Sequence, residues 1–504
     1  MNRQIRHLGV VLVLCYLALF VQFNRIQIFQ QDELQANPSN FRAIERDFSS
    51  PRGAIFTADG VIVARSVPAE GQFDRQRLYP EGDLYAHVTG FFSFEFGAEG
   101  VERVYNDELS GQAVAAQFGS LRDILTDTDT TVNLTLTVDD DLQRVAKAAL
   151  GDRKGAVVAL DPRDGAIQAF WGFPSYDPGV LSGVDLDGAA AEWDRLEALP
   201  NADDPRISRP YRERYFPGST FKVVTAAAGL ASDRLSPRQP DFEVVTEYTP
   251  PLTNSAIGNF GGSACGGTLV AILAQSCNSA FAELAAEVLG PQPLIETAER
   301  FGFNDAPPID LPAPAASNFP TDFGAVVGTV GDPPVDLVEA TPSLAQSAIG
   351  QFEVAATPLQ MALVAAAVAN EGVIMTPHLM RELTRQDGSQ LRAYQPAAWR
   401  AALSSTDAAT LRAAMEQVVQ VGTAQVLAIP GAVVGAKTGT AEVTSERPDD
   451  THAWVIAFAG RPGEAPSVAV AVLVESVPGQ GQQTGGGVAA PIARDVIAAA
   501  LGLG

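Results

Sequence analysis

The chain has 504 residues, enough for two or three domains. Its 34 Lys and Arg against 59 Asp and Glu give a net charge of −25, which argues against a nucleic-acid partner, because phosphate binding needs clustered cations. His7, His87, His378 and His452 form neither an H-E-x-x-H pair nor a Cys/His cluster, and no Walker A, G-x-G-x-x-G or G-x-S-x-G fingerprint occurs, so no metal or cofactor is expected.

The N-terminus opens with Arg3 and Arg6, followed by an apolar run from Leu8 to Phe23 that Ile26, Ile28 and Phe29 can extend. This predicts a single membrane anchor over 1–30 with a cytoplasmic N-terminus and the rest of the chain exported. A cleaved signal peptide is the competing reading, but no small-x-small site follows Phe23. Residues 31–50 are polar and read as a linker. Alternating apolar residues flank Asp59-Gly60, a hairpin signal. The stretch to about 135 reads as a non-catalytic pedestal of strands and turns, in which Arg52 and Glu102 are either a bracing pair or two surface charges.

The larger domain is expected over 136–504. Asp139-Asp140-Asp141 precede Leu142, Val145, Ala146 and Ala149, which form an amphipathic helix. Gly155 to Leu160 and Ala166 to Phe173 read as a hairpin. Arg206, Arg209, Arg212 and Arg214 read as a solvated loop rather than a substrate clamp. The Pro217-Gly218 turn then leads into Ser219-Thr220-Phe221-Lys222 and an Ala/Val-rich helix to Leu230. Ser219 and Lys222 share a helix face, so the amine can reach the hydroxyl. A lysine whose pKa is depressed by burial can take the serine proton, and the helix N-terminus offers N–H groups to an oxyanion.

Two further stretches could join this one. Ser276-Cys277-Asn278 places a hydroxyl and an amide two residues apart on a loop. Cys277 and Cys265 lie twelve residues apart and could pair outside the cytoplasm or remain two thiols; Cys15 lies within the apolar N-terminal run. Residues 307–342 hold eight prolines and read as a long extended loop without regular helix or central strand, bordering a cleft. Thr357 to Asn370 is an Ala-rich helix. Val433 to Val443, Ala453 to Ala459 and Val468 to Val474 read as strands, and Val488 to Leu501 as a closing helix. The order predicts an α+β domain with one antiparallel sheet. On the first of these strands Lys437 and Gly439 face one way, Thr438 and Thr440 the other. Glycine there leaves room for a substrate backbone, and a cation with hydroxyls suits a carboxylate.

The order S-x-x-K, S-x-N, K-T-G, with gaps of 57 residues (219 to 276) and 161 residues (276 to 437), is the signature of serine β-lactamases and penicillin-binding proteins. The chain resembles class B penicillin-binding proteins over nearly its whole length, also in Pro51-Arg52-Gly53-Ala54-Ile55, Gly155 to Pro178, Gly350-Gln351, Thr357 to Ala362 and His452-Ala453-Trp454. Its compact length and lack of further C-terminal modules are similar to the short actinobacterial penicillin-binding protein A type. Cys277 departs from the S-D-N form in its middle position.

The resemblance implies a transpeptidase domain of the penicillin-binding/serine β-lactamase fold. It implies that Ser219 attacks the D-Ala-D-Ala carbonyl of a peptidoglycan stem peptide and Lys222 takes its proton. Ser276, with Lys437, passes a proton to the leaving amine. Asn278 orients Lys222 and substrate, Thr438, Gly439 and Thr440 bind substrate, and the N–H groups of Ser219 and Thr440 form the oxyanion hole. β-Lactams would trap Ser219, and a membrane glycan polymerase of the SEDS family is the implied partner, since the 218 residues before Ser219 leave no room for a second enzyme. A carboxypeptidase or β-lactamase is the second reading, although no E-x-x-L-N follows Asn278. A non-catalytic β-lactam-binding scaffold is the third.

Overall fold

The computed structural model describes residues 2–29, 48–112, 130–444, 447–479 and 481–504. Most of the expected linker over 31–50 lies outside them. Asn2–Phe29 is one helix. Its exposed apolar side chains run from Leu8 to Val21, about 21 Å of helix at 1.5 Å per residue, against a hydrocarbon core of about 30 Å. Among the described residues no helix is long and apolar enough to cross a membrane, so the expected span is not met there.

The centre of the molecule is a five-stranded antiparallel sheet. Its strands are β1 (Gly155–Leu160), β2 (Ile167–Phe173), β3 (Val433–Thr444), β4 (Arg447–Gly460) and β5 (Val468–Val474), in the spatial order β3-β4-β5-β1-β2. The expected hairpin and the three C-terminal strands are all present. β1 and β5 are buried at every residue, which is why their sequences are apolar throughout rather than alternating: both faces are covered. Helix α1 (Asp140–Leu150) and helix α6 (Ala490–Ala500) pack together on one face. Helix α5 (Pro358–Ala369) covers the other. All of its residues are buried, as an all-round apolar helix requires. Thr357 caps it by accepting from the Gln360 N–H at 3.1 Å, and Pro358 takes the first helical position, where no N–H is missed.

A second sheet of six strands runs in the order Gln390–Ala393, Met380–Arg385, Val132–Leu136, Ile55–Phe56, Ile62–Pro68, Arg75–Leu78. Ile55 pairs with Ala64 across the Asp59-Gly60 turn, as expected. The strands at 380–393 return from late in the chain to pair with 132–136. Beside this sheet Glu102, fully buried, is held between Arg52 at 2.7 Å and Arg77 at 2.6 Å. Arg52 and Glu102 are therefore a bracing pair, and Arg77 completes a triad. Asp310 joins this region to the rest, accepting from Tyr105 Oη at 2.7 Å and from the N–H groups of Leu379 and Met380 at 2.7 and 2.8 Å.

The proline-rich stretch is not loop throughout. It contains an antiparallel pair, Val326–Val330 with Val335–Val338, and the start of a helix, Thr341–Ser347. Pro333 and Pro334 sit in the turn between the strands and Pro342 opens the helix, three places where proline costs no ladder hydrogen bond. The arginine cluster is not a solvated loop either. Arg209 is buried and donates to Glu475 at 2.6 Å, and Arg212 pairs with Glu99, so only Arg214 is exposed.

Candidate functional site

Ser219 lies in a 3-10 turn, Gly218–Phe221, that runs directly into helix α2 (Lys222–Ala231). Residues three apart eclipse one another in 3-10 geometry, so Ser219 and Lys222 project on the same side. The turn is held from three directions. Gly218, at φ +52°, donates its N–H to the Gly350 carbonyl at 3.0 Å. A Cβ on Gly350 would lie 2.1 Å from the Gly218 oxygen, so no other residue fits there. Behind, Phe221 stacks on Phe319 at 5.4 Å and meets Phe303 edge-on at 5.3 Å. The proline-rich stretch thus supports the nucleophile turn from the back.

On the third side is β3. A Cβ on Gly439 would lie 2.8 Å from the Pro217 oxygen and 3.0 Å from Thr220 Cγ2. The space that glycine was expected to leave for a substrate backbone is filled by the nucleophile turn itself.

Helix α3 (Leu269–Gln275) ends at Ser276, whose φ of +60° is left-handed, and helix α4 (Asn278–Glu283) starts two residues on. This sharp break turns the Ser276 carbonyl and the Asn278 side chain toward the same nitrogen. Lys222 Nζ donates to Ser276 O at 2.7 Å and to Asn278 Oδ1 at 2.7 Å, and lies 3.4 Å from Ser276 Oγ. Asn278 is fixed in turn by donating Nδ2 to Gly258 O at 2.8 Å. Lys437 Nζ approaches from β3, donating to Ser276 Oγ at 2.7 Å and to Thr438 O at 2.9 Å. The Ser276 hydroxyl therefore sits between two amines.

Both lysines are fully buried. Burial, then the like charge of Lys437, holds the Lys222 pKa well below the lysine range; burial alone lowers Lys437 to about 7. A neutral amine has two N–H donors and one lone pair. In Lys222 the two short bonds occupy the donors and leave the lone pair to accept a proton. Among the described residues the Ser219 hydroxyl has no hydrogen-bond partner, so Lys222 is bonded to the second motif rather than to the nucleophile. Catalytic hydrogen bonds often close only once substrate is bound.

Ser219, Ser276, Asn278, Thr438 and Thr440 line one cleft of about 890 Å³. Lys222 and Lys437 lie beneath its floor, and Gly439 faces the nucleophile turn. β3 is an edge strand of its sheet, so its outer side is open along the cleft. Sequence reading missed Thr423, whose hydroxyl meets that of Thr438 at 2.6 Å, and Glu442, which lines the cleft two residues past Thr440. Thr423 carried no motif. Glu442 was legible from strand alternation alone. The structure joins Cys265 to Cys277 with a Cα–Cα distance of 5.8 Å, in the bonding range. Among the described residues no group of His, Cys, Asp and Glu could hold a metal.

A serine at a helix start, a buried lysine whose pKa is held low, a relaying hydroxyl and a strand edge open to a peptide define a serine acyl-transfer site of the penicillin-recognising class. The penicillin binding protein transpeptidase domain family matches residues 155–498, and the penicillin binding protein A dimerisation domain family matches 52–133. The chain is 38% identical to the peptidoglycan D,D-transpeptidase PbpA of Mycolicibacterium smegmatis and 37% identical to that of Mycobacterium tuberculosis, over 99% of each chain. Among solved structures it is similar to penicillin-binding protein A of M. tuberculosis in its ceftriaxone acyl-enzyme complex, at 34% identity and a TM-score of 0.79, covering 91% of this chain and 100% of that one. The imipenem acyl-enzyme complex gives 35% and 0.78, covering 90% and 99%. The chain belongs to the penicillin-binding transpeptidase family, in the branch of the short mycobacterial PbpA proteins.

Proposed function

We propose that the chain cross-links peptidoglycan stem peptides through an acyl-enzyme on Ser219 and is acylated there by β-lactams. The observation that carries this reading is the Ser276 hydroxyl held between Lys437 and Lys222 on the floor of the cleft that contains Ser219. Ser219 Oγ attacks the carbonyl of the penultimate D-alanine while Lys222 accepts its proton. The N–H groups of Ser219 and Thr440 take up the charge on the tetrahedral oxygen, where loss of one donor typically costs about 100- to 1,000-fold. Thr438 and Thr440 hold the terminal carboxylate, and Gly439 lets β3 and the nucleophile turn close on each other. The C–N bond breaks, and a proton passes from the Lys437/Lys222 side through Ser276 to the departing D-alanine amine. An amine of a second stem then attacks the ester, gives its proton to Lys222 and releases Ser219.

Residues 1–30 serve as a membrane attachment with a cytoplasmic N-terminus, the apolar run from Leu8 to Phe23 being continued in sequence by Ile26, Ile28 and Phe29. Residues 31–135 form the pedestal and 136–504 the extracytoplasmic transpeptidase domain, with two strands of the latter completing the pedestal's sheet. The geometry of Cys265 and Cys277 favours a disulfide outside the cytoplasm. The implied working partner is a membrane glycan polymerase of the SEDS family. The purified full-length chain, given a synthetic D-Ala-D-Ala stem peptide with an amine acceptor, is expected to form the cross-linked product and release D-alanine, with no turnover by Ser219→Ala. Release of D-alanine with hydrolysed peptide alone, whatever the acceptor concentration, would assign a carboxypeptidase instead.

A further inference from the structure

The lining of the cleft is almost entirely neutral. Among the described residues that form it, Glu442 alone carries a charge; both lysines are sealed below. Glu442 is exposed, and its carboxylate makes no hydrogen bond or ion pair among the described residues. Among the described residues this carboxylate, in a groove otherwise built of hydroxyls, amides and backbone, has no partner. It is not a distant surface group either, because Thr438, Thr440 and Glu442 alternate onto the same face of β3 and all three line the cleft.

That alternation gives Glu442 a place along the substrate. With the terminal carboxylate at Thr438 and Thr440 and the scissile carbonyl at Ser219, the stem peptide leaves the site N-terminally along the open edge of β3, toward 442. Strand geometry puts Glu442 about 6.6 Å beyond Thr440. The residue that precedes the acylated alanine then lies beside 441–442, within reach of a four- or five-carbon side chain.

We propose that Glu442 selects the donor strand: it receives the side-chain ammonium of a diamino residue standing immediately before the two terminal D-residues. This rests on the transpeptidase reading. It adds a charge requirement that the three motifs do not contain, since their lysines serve the acylation chemistry. A facing ammonium would find in Glu442 a carboxylate with no competing partner among the described residues, partly screened from water by the cleft walls.

The test uses the full-length chain and two donors, Nα-acetyl-L-lysyl-D-alanyl-D-lactate and its Nε-acetyl form, in which a neutral acetamide replaces the ammonium. D-lactate release gives kcat/KM for acylation. Wild type is expected to prefer the free amine by about 10-fold, Glu442→Gln to lose that preference to within about 2-fold, and Glu442→Asp to keep part of it. Because each ratio is taken within one protein, altered folding cancels. The swap changes one charge in a chain of net −25, so loss of preference reports a local contact and not the bulk field. Equal use of both donors by wild type, or an undiminished preference in Glu442→Gln, overturns the proposal. So does a Glu442→Gln enzyme that keeps its donor preference and changes only how the acyl-enzyme divides between added amine and water, which would assign Glu442 to the acceptor. If neither donor acylates wild type and penicillin G leaves no adduct on Ser219, the transpeptidase reading itself has failed.

Discussion

Lys222 and Lys437 are two buried amines with one hydroxyl between them, and their charges are coupled. Lys222 must be unprotonated to act. Replacing Lys437 with methionine removes the like charge that helps keep Lys222 low, so the Lys222 pKa rises. The ascending limb of the pH profile for acylation by penicillin G is expected to move to higher pH in Lys437→Met; a limb that stays or moves down contradicts the coupling. Lys222→Arg keeps the charge but cannot lose its proton, and acylation should fall by about 1,000-fold or more. Stability carries the opposite signature. Unfolded lysines bind protons that the folded ones refuse, so stability rises with pH between about 7, where Lys437 titrates in the fold, and the ordinary lysine range, and falls as pH returns to 7. Urea midpoints at pH 7 and 9 should show this slope in wild type and a smaller one in Lys437→Met. The residues of this relay were legible because each stands in a spaced motif whose order is rarely met by chance. Thr423 was not, since a threonine outside a motif has no signal until the fold sets it beside Thr438.

At the level of elements, the nucleophile turn is positioned by contacts that leave no room for side chains. Gly350→Ala would drive a Cβ into the Gly218 carbonyl at a residue with φ of +76°, and the turn must move. Acylation by penicillin G is expected to drop by about 100-fold or more, since a shift near 1 Å at the nucleophile suffices for that. Phe319→Ala opens a cavity behind Phe221 and should cost about 3 kcal/mol of stability in urea titration. If either variant behaves like wild type, the turn is not held as described. The strands and helices that carry the motifs were readable from apolar period and turn residues. The role of the proline-rich stretch was not. Proline density reports what a segment's backbone cannot do, while its use here depends on Phe319 and Asp310, which meet partners far away in sequence. Gly439 was correctly singled out for lack of a side chain, but what fills the space is the chain itself.

For the molecule as a whole, the larger domain and the second sheet are tied by pairings between distant residues. Strand 380–385 lies beside 132–136, and Asp310 bonds to both Tyr105 and the start of that returning strand. No periodicity announces such a crossover, so the single boundary expected near residue 135 gave no hint of the shared sheet. The Arg52–Glu102–Arg77 triad was half legible, because Arg52 and Glu102 stood out and Arg77 did not. Burial works to raise the Glu102 pKa, but Arg77 and Arg52 outweigh it and the carboxyl ends below its ordinary value. Its contribution is therefore present above the ordinary glutamate range and is lost as pH falls through the lower folded value. Glu102→Ala strands two buried guanidinium groups and should cost about 3–5 kcal/mol, seen as loss of the folded baseline in urea at pH 7.

The central claim is that Ser219, primed from one shared pocket, is the acylated residue. Incubating the full-length protein with penicillin G, measuring its intact mass and mapping the adduct by peptide tandem mass spectrometry tests this directly. One penicilloyl group on Ser219, and none on Ser219→Ala, is the predicted result. An adduct on any other residue, or undiminished labelling of the alanine variant, would contradict it.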